Sequence, residues 1–131
     1  MVFVDTSALL AVLNADDVDH HRVDEVWTTL LDDREPLRTH SYVIVETTAL
    51  VQSRQGMEAV RALHHDILPI LAVRFPDADL HGRAATALIA AGRRRVSLVD
   101  WVSFEMMREE RIAEAFALDD DFTEQGFRLR P

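Results

Sequence analysis

Strand-length apolar runs alternate with helix-period segments along this whole chain, and that alternation limits the folds open to it. Val2-Phe3-Val4 breaks at Asp5-Thr6-Ser7, and Ala8 to Leu13 then resume with helical spacing, so strand, carboxylate and helix follow in order. Between Asp19 and Asp33, Val23, Val26, Trp27, Leu30 and Leu31 form the stripe of an amphipathic helix. A brief strand is expected at Leu37–Thr39 after Pro36. Helices are expected at Ser41–Arg54, stopping at Gly56, and at Met57–Leu68, stopping at Pro69. The β-rich run Ile70–Phe75 reads as a strand closed by Pro76, and the Ala- and Leu-rich stretch Asp77–Ala91 as a helix ending at Gly92. Arg93-Arg94-Arg95 read as a basic loop, Ser97–Met107 as a helix with its start, Ala115–Leu118 as a strand and Phe127–Arg130 as an edge strand.

With 131 residues, no repeat and no linker, the chain fits one domain, residues 1–131. The expected fold is α/β, a three-layer α/β/α sandwich around a small, mainly parallel sheet. Functional groups of such sheets gather beyond the strand C-termini. That is where Asp5 would stand.

Composition narrows the chemistry. Without cysteine there is no disulfide framework, thiolate chemistry or Cys-based zinc site. All 14 basic residues are arginine, which excludes a Schiff base, a phosphate-gripping lysine or a lysine charge partner. A net charge of −9 opposes strong non-specific nucleic-acid binding, so local charge would have to hold an RNA. The start lacks a basic n-region and no apolar run has the length of a membrane span, so the expected address is cytoplasmic, with no membrane partner.

Four acids remain to be explained, and each has a structural alternative. Asp5 has the position of a strand-end ligand and equally of a helix N-cap. Glu46 lies among Tyr42, Val43, Ala49 and Leu50 at helical spacing, where a carboxylate needs an arginine, a hydrogen-bond network or a metal to compensate it. Ser97-x-x-Asp100 has the form of a capping box. Asp119 ends an apolar run and begins the turn Asp119-Asp120-Asp121. Carboxylates brought together raise one another's pKa unless a cation neutralises them. With oxygen ligands only, that cation would be Mg²⁺ or Mn²⁺.

Val2-Phe3-Val4-Asp5-Thr6-Ser7-Ala8, Glu46 within its helix, Ser97-Leu98-Val99-Asp100 and Asp119-x-x-Phe122-x-x-x-Gly126-Phe127 together resemble the PIN-domain ribonucleases, most closely the VapC toxins of bacterial toxin–antitoxin pairs. The resemblance spans essentially the whole chain. It implies a PIN-like fold, Mg²⁺-dependent cleavage of a structured RNA such as tRNA or the sarcin–ricin loop of rRNA, a homodimer and a VapB-like antitoxin. It also implies Asp5 and Asp100 as the most direct metal ligands, Glu46 and Asp119 as partners acting directly or through metal-bound water, and Asp121 as an aid to a second metal. Thr6 and Ser7 match the small polar residues that hold the Asp5 turn or a water. Whether Asp119 or Asp121 is the more direct ligand, and whether one ion binds or two, stays open.

Other readings carry less. His20-His21 and His64-His65 lack zinc-site spacing and read as solvated helix faces. Arg93, Arg94 and Arg95 are candidates for RNA contact, against a merely solubilising turn, and Trp27 and Trp101 read as core or dimer packing. A haloacid-dehalogenase-like phosphohydrolase or a response-regulator receiver would also place an acid after the first strand, but both need the lysine that is absent, and the former wants an acid where Ser7 stands. A catalytically silent PIN-fold module that binds RNA or protein is the remaining alternative.

Overall fold

In the computed structural model of the chain, which describes residues 1–130 and leaves Pro131 outside, β1 (Val2–Val4) is the central strand and every one of its residues is fully buried. An all-apolar strand of this kind is what a parallel sheet covered on both faces requires. It pairs with β2 (Leu37–His40) on one side and β4 (Glu114–Phe116) on the other, and β3 (Ala72–Arg74) and β5 (Arg128–Leu129) add the two edges. All pairings are parallel, in the order β3-β2-β1-β4-β5.

Helices α1 (Thr6–Leu13), α2 (His20–Asp32), α3 (Ser41–Gln55) and α4 (Met57–Arg61) lie in the connections that step from β1 out to β3. Helices α5 (Ala78–Ala91), α6 (Leu98–Glu110) and the short α7 (Asp121–Glu124) lie in the connections that step the opposite way. Right-handed crossovers therefore put the two groups on opposite faces. The packing agrees, with α1 against α2 and α3, and α5 against α6. The direction of winding reverses between β1 and β4. A crevice opens at such a switch point, beyond the strand C-termini.

Several expectations shift at their ends. The expected helix Met57–Leu68 is α-helical only to Arg61, widens into a π-helical stretch over Ala62–Ile67 and finishes as a 3-10 turn at Leu68–Ile70. Pro69 offers no N–H and crowds the preceding turn, which is where the regular ladder fails. Ile70 is thereby taken out of the expected strand, and Phe75 lies past its end, 78% exposed. The helix expected over Ser97–Met107 runs on to Glu110, and Arg111 closes it in the left-handed conformation at φ 57°. Strand β4 stops at Phe116 rather than Leu118, so Asp119 lies beyond the strand, whereas Asp5 follows β1 directly.

Trp27 and Trp101 are core residues. The first stacks on Phe116 with ring centroids 6.1 Å apart, and the second meets Phe104 edge-on at 5.3 Å. The histidine pairs are not simply solvated faces. His21 and His65 are exposed, but His20 Nδ1 lies 2.7 Å from the Ala11 carbonyl oxygen and His64 Nε2 lies 2.9 Å from Thr48 Oγ1, which ties neighbouring helical segments together. Arg38 and Arg74, on adjacent strands, both bind Glu110 of α6, at 2.7 and 2.9 Å, so the edge of the sheet is clamped to the helix that carries Asp100.

Candidate active site

Asp5, Glu46, Asp100 and Asp119 line a single cleft of about 280 Å³ beyond the C-terminal ends of β1 and β4. Thr6, Ser7, Leu10, Leu50, Arg95 and Ser97 complete its wall.

Asp5 stands here because β1 ends beneath it and α1 begins above it. It caps that helix, Oδ2 accepting the Ser7 N–H at 3.2 Å and the Ser7 hydroxyl at 2.7 Å. Ser7 Oγ in turn accepts the Leu118 N–H at 2.9 Å, so one serine holds the Asp5 carboxylate and the chain leading to Asp119. Only 3% of Asp5 is exposed. Burial pushes its carboxyl up to about 7, Asp100 and Asp119 add to the rise, and the Ser7 hydrogen bonds oppose it.

Asp100 also fills both of its possible roles. Its N–H donates to Ser97 Oγ at 3.2 Å and its Oδ2 accepts the Ser97 N–H at 2.9 Å, a complete capping box on α6, and the same residue lines the cleft. A carboxylate has two oxygens, so a cap on one leaves the other free to serve a ligand. Burial raises the Asp100 pKa against the Ser97 hydrogen bonds, with the charges of Glu46 and Asp121 adding to the rise. Asp119 reaches solvent, yet its carboxyl is raised as well, by partial burial and then by Asp100, Asp121 and Asp120.

Glu46 is less enclosed than its neighbours in sequence suggested. The buried stripe of α3 is Val43, Ile44, Thr47 and Val51, while Ala49 and the preceding Val45 are exposed. Glu46 therefore sits at the stripe's margin, on the cleft, and among the described residues no buried arginine compensates it. Thr6 lies in the wall, but its hydroxyl links helices, donating towards the Val43 carbonyl at 3.5 Å and accepting from Thr47 at 3.2 Å. Holding the Asp5 turn falls to Ser7 alone.

Asp121 is half-buried and not part of the cleft wall, and its nearest cation is Arg93 at 3.9 Å. The three loop arginines have separated roles: Arg93 binds Glu124 at 2.9 Å, Arg94 is exposed, and Arg95 lines the cleft. Ser97, Leu10 and Leu50 belong to the wall without having been marked as site residues. Leu50 follows Glu46 by four residues, one turn along the same helix face, which is the pattern that could have revealed it.

The donor set suits a hard divalent cation. Every donor is oxygen, burial and neighbouring carboxylates raise the pKa of Asp5, Asp100 and Asp119, and Arg95 is the one cationic side chain in the wall. Among the described residues no three His, Asp or Glu side chains stand close enough to chelate an ion unaided. An ion seated here would keep part of its water shell, as Mg²⁺ usually does.

Residues 2–128 match the PIN domain. Over its full length the chain is 35% identical to the 23S rRNA-specific endonuclease VapC20 of Mycobacterium tuberculosis strains CDC 1551 / Oshkosh and ATCC 25618 / H37Rv, covering 99% of that protein. The crystal structure of M. tuberculosis VapC20, described as a sarcin–ricin loop cleaving toxin, superposes with a TM-score of 0.88 at 32% identity, both chains covered completely. FitAcB from Neisseria gonorrhoeae shares the fold at a TM-score of 0.70 and 15% identity, with 100% of this chain and 97% of that one covered. The four-acid cleft at the switch point and the full-length likeness agree: the chain belongs to the PIN-domain family, among its VapC-type endoribonucleases.

Proposed function

We propose that this chain is a Mg²⁺-dependent toxin that cuts a structured RNA, with the sarcin–ricin loop of 23S rRNA as the leading target. The carrying observation is the cleft lined jointly by Asp5, Glu46, Asp100 and Asp119. The full-length likeness to VapC20, named for 23S rRNA and described as cleaving that loop, favours rRNA over tRNA.

Asp5 and Asp100 would be the direct ligands, with Glu46 and Asp119 acting directly or through water. An ion held by these carboxylates would supply an activated water and charge stabilisation for in-line displacement at phosphorus. Ser7 and the Ser97 capping box hold the two principal carboxylates in fixed rotamers. Arg95 would grip a phosphate next to the one attacked. Asp121 lies outside the cleft wall, which favours Asp119 as the nearer ligand. A VapB-like antitoxin with an arginine directed at the acids would inhibit, the family resemblance favours a homodimer, and the ribosomal target would put the site of action in the cytoplasm.

The test is to incubate the purified protein with total bacterial RNA, with Mg²⁺ and with EDTA, beside Asp5→Asn and Asp100→Asn. Cleavage only by the wild type with Mg²⁺ is expected, at one site in 23S rRNA. Equal cleavage by all samples would remove the metal mechanism. Tight RNA binding without cleavage would favour the silent-module reading.

A further inference from the structure

A second cavity, of about 660 Å³, adjoins the acid cleft and shares Ser7, Leu10 and Asp119 with it. Its own walls come from the C-terminal ends of two helices, the turn after α1 and the loop after β4: Asn14, Asp16, Asp17, Arg54, Gln55 and Leu118. Such a volume lies in the range of roughly 300–1,000 Å³ over which proteins bind small organic groups. A chain segment lying across the reacting acids would have its neighbouring unit at this opening.

The chemistry of the walls identifies that unit. Asp16, Asp17 and Asp119 share the wall with one guanidinium, Arg54, and three acids to one cation make the cavity inhospitable to a phosphate and suited to a group carrying N–H donors. Arg54 makes no ion pair among the described residues, so its forked donors are available for planar acceptors. Asn14 Oδ1 already accepts the Asp16 N–H at 3.1 Å, which leaves its amide hydrogens to donate, and Gln55 offers a donor and an acceptor. Leu10 and Leu118 add apolar wall.

Among nucleobases, guanine meets this set best. Its O6 and N7 accept bidentately from arginine, and its N1–H and amino group donate to a carboxylate. Single-stranded RNA is commonly read in this manner, by splaying a base out of its stack into a protein pocket. A cationic protein segment could also approach the three carboxylates, but it would meet Arg54. We infer that this cavity holds a splayed guanine next to the scissile phosphate, with Arg54 and one of Asp16 and Asp17 reading its edges and Asn14 and Gln55 completing the contact. The inference rests on the nuclease reading proposed above.

The experiment uses a randomised RNA pool, with cut sites read by sequencing, for the wild type, Arg54→Gln and the double variant Asn14→Ala/Gln55→Ala. Arg54 and Gln55 are exposed and Asn14 is half-buried just past the end of α1, so none of these changes touches a core side chain, and thermal melting checks the fold. The expected wild-type profile is enriched in guanine at one position flanking the cut. Arg54→Gln should flatten that preference on the order of ten-fold or more and raise KM. Binding of guanine- and inosine-substituted hairpins to Asp100→Asn is measured in parallel, with weaker binding of the inosine form expected. No guanine preference in the wild type, or a preference that both cavity variants retain, overturns the inference and leaves the nuclease reading standing. Absence of wild-type cleavage, with guanine-selective binding that Arg54→Gln removes, overturns the nuclease reading and leaves the cavity assignment standing.

Discussion

The Ser7 hydroxyl donates to Asp5 Oδ2 at 2.7 Å and at the same atom accepts the Leu118 N–H at 2.9 Å, so a single oxygen links the first acid of the site to the chain that carries the last. It lies on α1, whose N-cap is Asp5 itself. The site is thus braced across the switch point between β1 and β4.

Ser7→Ala should therefore lower Mg²⁺ affinity or turnover by roughly 10- to 100-fold, the usual cost of removing a group that orients a ligand. Destabilisation should be only about 1 kcal/mol, for the lost hydrogen bonds. Ser7→Thr keeps the hydroxyl and should recover most of the activity. Titration of Mg²⁺ with cleavage as the readout separates the variants, and equal behaviour of Ala and Thr would remove the orienting role.

Asp5→Asn should trade activity for stability. A carboxylate held up to about 7 is costly once ionised, and the amide keeps an oxygen for the Ser7 donors without the charge. Above pH 7 and without Mg²⁺, the variant should be more stable by on the order of a few kcal/mol, seen as a higher Tm. Cleavage should fall roughly 100-fold or more. A lower Tm would mean that the charge is compensated in a way the cleft does not reveal.

Two buried groups tilt metal-free stability in opposite directions with pH. His40 is completely buried, its Nδ1 accepting the Val43 N–H at 3.4 Å and its Nε2 lying 2.9 Å from Ser103 Oγ. Burial, aided by the Arg74 charge and opposed by the Val99 carbonyl, lowers its pKa from 6.5 to about 3. Its contribution is present above 6.5 and is lost as pH falls, at up to roughly 1.4 kcal/mol per unit. Asp5 is raised from 3.8 to about 7, so its contribution is present below 3.8 and is lost as pH rises through 7. Between about pH 4 and 6.5 the two slopes oppose each other. Chemical denaturation in EDTA should show His40→Asn gaining stability as pH falls through this window and Asp5→Asn losing it.

Metal binding should expel a proton. If Asp5 is a ligand, its proton must leave below pH 7, and Mg²⁺ affinity should climb by up to roughly tenfold per pH unit until about 7, then level. Calorimetry in two buffers of different ionisation enthalpy measures the released proton directly. Affinity that is flat from pH 5.5 to 7.5 would take Asp5 out of the ligand set.

Much of the fold was legible in residue order, because strand and helix periods are local. The continuous burial of Val2–Val4 and the stripe through Val23, Trp27 and Leu30 follow from spacing alone. Less legible was the stretch from Ala62 to Ile70, where the widened helix and the turn at Pro69 depend on how the chain reaches β3. Helical spacing places Glu46 among apolar neighbours, but it cannot say which edge of a stripe opens on a cavity. Nor does local sequence reveal the partners of His20 and His64, since Ala11 and Thr48 lie on other helices.

By itself the sequence determined the α/β alternation, the all-oxygen donor set and the absence of lysine and cysteine chemistry, since these depend only on which residues are present and how they are spaced. Only the tertiary structure decided that acids at positions 5, 46, 100 and 119 share one cleft, that Asp121 stands outside its wall, and that Arg54 and Asn14 border a second cavity beside it. The reason is physical: carboxylates this far apart along the chain act on one another only when strand pairing and crossover handedness fold their elements to the same end of the sheet.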